Sequence, residues 1–234
     1  MAVGEMLVSP DIEGKLGKDG VAAVAASVWP VDCQTCGKPL GSRPPALCVD
    51  DMITFAAASL HHRQCRAPGW NQGPVAGFGG DLITHRTRLV MLPLDGGDGP
   101  AVIPVMLVNP SMEHVLLTED GGAWRPQFNA AFTSFGMVPP GPQMQIYKPV
   151  TGASARLTPA AVTITMPQPS ITDAYECTLA EGDERFAREI AGQGGIMLAV
   201  SHVVDPSCAD LTGQFIAAIR AGRLLCGWVL LSGQ

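Results

Sequence analysis

The stretch 32-DCQTCGKPLGSRPPALCVDDMITFAAASLHHRQC-65 decides how the chain is read. It carries four of the seven cysteines and two of the five histidines in a sequence of 234 residues. Thiols and imidazoles crowded in this way serve metal binding, redox chemistry or buried packing. Cys33 and Cys36 are separated by two residues and followed by Gly37, and His62 and Cys65 are again separated by two. That spacing lets both side chains of a pair reach one ion while turn amides hydrogen-bond the thiolates, and Gly37 relieves the tight backbone behind the first pair. The pattern is Cys-x2-Cys-x25-His-x2-Cys through His62, or Cys-x2-Cys-x24-His-x3-Cys through His61. Cys48 is a further alternate that would give four cysteines, or else a small buried side chain.

A redox Cys-x-x-Cys stands where a strand opens into a helix. Pro39, Pro44 and Pro45 deny the segment after Cys36 any long helix, so the pair reads as metal ligands. Between the two arms, VDDMITFAAASL (49–60) reads as an alanine-rich helix capped by Asp50 or Asp51. Continued to Cys65, that helix would place either histidine on the same face as the cysteine.

Over residues 33–65 the pattern resembles the Cys₃His sites of zinc-finger, zinc-knuckle and LIM-type modules, with a longer central interval than most of them use. The resemblance implies zinc as the ion and no particular function. A set of four protein ligands closes a tetrahedral shell, which favours structural over catalytic zinc.

Working outward, residues 5–31 read as strands, with a turn signal at Lys18-Asp19-Gly20. The glycine-rich NQGPVAGFGGD (71–81) reads as a linker. DLITHRTRLVMLPL and AVIPVMLV flank LDGGDGP as a hairpin, and EHVLLTED adds a strand. Phe128, Phe132 and Phe135 fall at helical spacing before Gly136. DERFAREIAGQGG reads as a helix and GIMLAVSHV as a buried strand. Asp205-Pro206 then caps a helix with Leu211, Phe215, Ile216 and Ile219 on one face, and LLCGWVLL is another strand. Strand, helix and strand predict a right-handed parallel βαβ unit. AVIPVMLVNPS (101–111) and AAVTITMPQPS (160–170) echo each other weakly, suggesting a repeat of 101–140 in 160–200.

The expected fold class is therefore α+β: a zinc-binding module with N-terminal strands (1–70), the linker (71–81), and a mixed α/β domain (82–234) with antiparallel hairpins and a C-terminal βαβ unit. Apolar residues make up 47% of the chain, enough for a sizeable core. A net charge of −6, with Arg63, Arg66, Arg86 and Arg88 scattered, argues against a nucleic-acid footprint. The N-terminal MAVGEMLVSPDIEGK lacks the features of a signal peptide, and the apolar LLCGWVLLSG is too short to span a bilayer. With an odd cysteine count, a cytoplasmic location is expected.

A second cluster, AVSHVVDPSCAD (199–210), sets His202, Asp205 and Cys208 at a strand end, where ligands collect in open α/β sheets. It lacks a nucleophile elbow or a phosphate-binding loop. The expected function is a non-catalytic, zinc-stabilised binding or scaffolding protein acting on a protein partner or on itself. The alternatives are an enzyme, a hydrolase or transferase working at the end of the 195–203 strand or at an open zinc, and a nucleic-acid-binding zinc module.

Overall fold

The structure is a computed structural model that describes residues 5–73, 84–94, 101–127, 130–141, 148–167 and 174–233. In chain order its elements are α1 (Pro10–Ala25), β1 (Ala46–Asp51), β2 (Ala56–His61), β3 (Gly69–Gln72), β4 (Arg86–Leu94), β5 (Ala101–Asn109), β6 (His114–Asp120) and β7 (Ala123–Pro126). There follow α2 (Ala130–Ser134), β8 (Ser154–Leu157), β9 (Ala161–Thr165), β10 (Ala174–Thr178), α3 (Glu184–Gln193), β11 (Gly195–Val200), α4 (Leu211–Arg220) and β12 (Leu225–Leu230). The mixture of helices with mixed and antiparallel sheets is the α+β class. The chain divides into two compact units, one of Met1–Thr84 with Ser111–Phe128 and the other of His85–Pro110 with Asn129–Gln234. Residues 111–128, placed by the sequence reading in the second region, pair within the first unit. Of the expected linker, residues 74–81 lie outside the described residues.

The first unit corrects two sequence expectations. Residues 10–25 are helical, where strands were predicted. Ser9 stands at the N-cap with Pro10 just inside, and Asp11 and Glu13 in the first turn complement the positive end of the helix dipole. Ile12, Leu16 and Val24 are its buried residues. Gly17 breaks the helix in the left-handed region (φ 66°), so two short helical pieces stand where a turn was read at residues 18–20.

The second correction concerns VDDMITFAAASL, which forms a hairpin of β1 and β2 and no helix. Every residue of β2 is buried, as are five of the six in β1, so small alanines suit a strand packed on both faces. Here tertiary burial outweighs alanine's helical preference. Asp51 accepts from Ile53 N (2.9 Å) and Met52 N donates to Phe55 O (2.8 Å), closing the turn with aspartate chemistry in place of a helix cap. The sheet order is β3-β1-β2-β6-β7. One face carries Leu47, Val49, Ala58, Leu60, Val115 and Leu117 against Ile12, Leu16 and Val24 of α1. Trp70 and Trp124 meet edge to face at 5.2 Å beneath the helix, with the Lys15 ammonium 4.4 Å from the Trp70 ring centre.

The second unit is built on the sheet β12-β11-β5-β4. β4 and β5 form the expected hairpin, from Arg86↔Asn109 to Leu94↔Ala101. Its turn, residues 95–100, lies outside the described residues, as does Phe128 of the predicted aromatic stripe. Pro93 sits in β4, an edge strand, where a missing N–H is tolerated. Side chains alternate strictly. Met106, Val108, Ile196, Leu198 and Val200 face α3 and the three-stranded sheet β10-β9-β8. Val105, Leu107, Met197 and Ala199 face α4. The two echoing segments become β5 and β9, strands of different sheets.

The predicted parallel βαβ unit is corrected. β11 is parallel to β5, but β12 runs antiparallel to β11. Val200 lies opposite Leu225, so residues 201–224 leave and re-enter the sheet at one end. The right-handed crossover rule applies only where a connection traverses the sheet. The helix also starts later than Asp205-Pro206 implied: Asp210 is the N-cap, its carboxylate accepting from Gly213 N at 3.0 Å.

The burial pattern predicts that Leu198→Ala, in the middle of β11, costs about 2–5 kcal/mol. Ile216→Ala, on the exposed side of α4, changes stability by less than about 0.5 kcal/mol. Urea unfolding of the two variants tests the assignment, and equal costs would refute it.

Candidate metal centre

Two turns make the centre. In the first, Cys33 N donates to Lys38 O (2.9 Å) and Gly37 N to Cys33 O (2.8 Å), with Gly37 at φ 66°. A side chain at that φ is disfavoured, which is the local reason for glycine after the second cysteine. The second turn follows β2 directly: Cys65 N and Arg66 N both donate to His62 O, at 2.9 and 3.0 Å. The His62–Cys65 pair is thus held by a turn at a strand end and not by the expected helix. Gln34 N donates to Leu60 O (3.0 Å), so the hairpin does join the two arms.

Cys33, Cys36, His62 and Cys65 each offer one ligand atom, and the four atoms lie within 4.8 Å of one another. Thiolates around a tetrahedral zinc are separated by about 3.8 Å, so a small contraction suffices. His62 Nδ1 stands 3.5 Å from Cys36 Sγ and 3.8 Å from Cys65 Sγ. Its Nε2 lies 3.0 Å from Pro39 O. A carbonyl only accepts, so Nε2 is the donor in this contact and Nδ1 is the nitrogen that faces the sulfurs. A ligating histidine anchored through its second nitrogen is the usual outer arrangement of a metal site.

The thiols are prepared unequally. Burial pushes Cys33 up, but backbone N–H groups of His62, Thr35 and Cys36 outweigh it and bring the thiol down to about 7. Cys65 is pushed up to about 11, by burial first and then by Cys36 and Cys33 beside it. Three sulfurs this close oppose one another's ionisation, and a divalent cation among them removes that opposition. The donor set therefore fits a metal ion.

The alternates stand outside the four. His61 is buried, with Thr35 Oγ1 on Nδ1 and Ser59 Oγ on Nε2, both at 2.8 Å. Burial, followed by the charge of Arg66, lowers it to about 4. His61 is the last residue of β2 and His62 the first of the turn, and only His62 has a ring nitrogen facing the sulfurs. Cys48 donates to Ala67 O at 3.2 Å, and burial raises it to about 12.

Sequence reasoning missed Glu113. It is fully buried, accepting from Asp32 N (2.9 Å) and Gln34 Nε2 (3.4 Å), and so ties the first cysteine turn to the start of β6. Asp50 is likewise no cap: it is buried in an ion pair with Arg66 and also accepts from Asn71 Nδ2 at 3.0 Å. The only sequence signal for either residue was a carboxylate at the border of an apolar strand.

The 199–210 cluster is differently arranged. His202 is buried, and its carbonyl accepts from Asn109 Nδ2 at 3.2 Å. Asp205 binds Arg86 Nη1 through both oxygens (3.0 and 2.9 Å) and caps Ser207 N (2.9 Å). Cys208 is raised by burial and then by the negative charges of Asp205 and Asp210, the reverse of an activated nucleophile. Arg88 reaches the carbonyls of Pro206 and Cys208, at 3.4 Å each. Of the four arginines considered for nucleic acid, three are thus engaged with other groups. No described helix is long and apolar enough to cross a membrane. No family model, curated protein or solved structure matches the chain.

Burial is the main cause that raises Glu113, to about 7 against an ordinary 4.5. Between those values the folded chain keeps a proton that the unfolded chain has lost, so this group's contribution to stability falls as pH rises. It amounts to about 3 kcal/mol across the window. His114, held neutral by burial and lowered to about 4, gives the opposite slope, with stability lost on acidification. Glu113→Gln removes the first slope and keeps the second. Urea unfolding of wild type and variant at pH 5 and pH 8 is expected to show the variant gaining relative stability at the higher pH. A difference that does not change with pH would contradict this.

Proposed function

We propose that the chain is a zinc-stabilised binding protein. Cys33, Cys36, His62 and Cys65 hold one zinc ion as a closed structural site, and the module acts through contacts with a protein partner or a second copy of itself. The observation that carries this reading is the convergence of the four ligand atoms to within 4.8 Å of one another, with His62 Nδ1 turned to the sulfurs of Cys36 and Cys65. Bound there, zinc neutralises the thiolates and cross-links the two turns. Four protein ligands leave no coordination position for a reacting water, which favours a structural role. The raised thiol of Cys208 and the engagement of Asp205 with Arg86 also speak for binding over nucleophilic catalysis.

Elemental analysis of protein purified without added metal is expected to find one zinc per chain. Cys36→Ser and Cys65→Ser are expected to lose it, whereas Cys48→Ser and His61→Ala retain it. Cobalt substitution should give the visible spectrum of a tetrahedral thiolate site. Metal-free wild-type protein, or zinc retained by both ligand variants, would overturn the assignment. The sheet of the first unit has its own apolar core, so metal loss is expected to loosen residues 33–40 and 62–66 ahead of β1, β2 and β6. Amide exchange in the presence of a chelator reads that order directly.

A further inference from the structure

Beside the metal centre lies a cleft of about 510 Å³ lined by Leu7, Arg43, Pro44, Arg63 and Gln64. A second cleft, of about 290 Å³, shares Arg43, Pro44 and Gln64 with it and extends to Leu40, Pro45 and His62. We propose that this groove docks an extended acidic peptide of a protein partner, with Arg43 and Arg63 as its carboxylate-binding pair. The proposal rests on the binding-protein reading and names the partner's chemistry.

Both guanidiniums are exposed, and neither forms an ion pair among the described residues. The acidic groups closest to them in sequence are committed: Asp50 to Arg66, and Asp51 to Lys15 and Trp70. Glu5 lines an adjoining cleft with Leu7 and Pro44, but among the described residues it forms no ion pair with either arginine. Arginine presents a planar fork that matches a carboxylate with two parallel hydrogen bonds.

The mounts of the two arginines are firm. Arg63 follows the ligand His62 within the second turn. Arg43 precedes Pro44 and Pro45, and Pro45 O accepts from Leu7 N at 2.8 Å. The groove is also amphipathic: Leu7, Leu40 and Pro44 supply apolar wall, and the Gln64 amide can both donate to and accept from a peptide backbone. A segment alternating carboxylates with aliphatic side chains fits both properties.

Nucleic acid fits less well. Tight phosphate-backbone binding recruits many cations, and its salt dependence scales with their number. Arg66, Arg86 and Arg88 are engaged elsewhere, leaving two arginines on this groove, and the chain's net charge of −6 opposes a long polyanion.

The test uses the zinc-loaded full chain and fluorescence anisotropy. The probes are short fluorescein-labelled peptides alternating aspartate or glutamate with leucine or proline, the same peptides with asparagine and glutamine in place of the acids, and a labelled single-stranded oligonucleotide. The acidic peptides are expected to bind and their amide counterparts to fail. Arg43→Glu and Arg63→Glu should each weaken binding by about tenfold or more while zinc content stays unchanged. Arg43→Gln and Arg63→Gln read the same site should a charge reversal disturb folding. The proposal is overturned if acidic and amide peptides bind alike, if none binds, if all four variants bind as the wild type does, or if the oligonucleotide binds tighter than the peptides. Metal-free wild-type protein would sink the zinc reading. A zinc-loaded chain that ignores acidic peptides would sink only this one.

Discussion

The first unit depends on the register of β1 against β2. Leu47 lies opposite Leu60 and Val49 opposite Ala58, which puts these four in the core beneath α1. The same register puts Cys48, Ser59 and His61 on the other face. Both faces are buried, so a slip of one residue would exchange the two sets and drive Ser59 and His61 into the apolar core. It would also move Leu60, whose carbonyl receives Gln34 N and whose N–H reaches Glu113 O. The cysteine turn, the histidine turn and β6 all take their positions from that one residue.

Against this frame, the metal centre is an elaboration at one end of a sheet that has its own core. Small zinc fingers need the ion to fold at all, because they bury too little to fold alone. Here α1 and five strands supply a core containing Trp124, Leu117 and Ile12. On the proposed zinc reading the ion's task would be narrower: to hold together two turns that bring three sulfurs close to one another. On that reading the surface beside those turns, including Arg43 and Arg63, would gain rigidity from the same cross-link.

The sequence was most readable where chemistry is local. The Cys-x-x-Cys turn, its glycine and the clustering of Cys33, Cys36, His62 and Cys65 follow from their spacing. The β4–β5 hairpin, α3, β11 and α4 follow from runs of apolar residues bounded by glycine, proline and aspartate. The errors share a cause, since each was decided by contacts distant in sequence. Alanines 56–58 favour a helix until β1 and β6 flank them. Residues 10–25 look like broken strands until Ile12 and Leu16 find the sheet. The choice between His61 and His62 was undecidable on a helix, where spacings of three and four both fit; it follows from the strand end, where His61 closes β2 against Thr35 and Ser59 and His62 opens the turn toward the sulfurs. The direction of β12 was invisible because periodicity reports a strand's existence and not its orientation.

Residues 111–128 belong to the first unit although the β4–β5 hairpin of the second precedes them in the chain. On the ribosome, the edge of β2 therefore waits without its partner until β6 has been made, while β4 and β5 emerge in between. The two turns that carry the ligands are complete by residue 66, well before that sheet can close. Through that wait the β1–β2 hairpin keeps its register by its own pairing and by the Gln34 N to Leu60 O bond, both complete without the later strand.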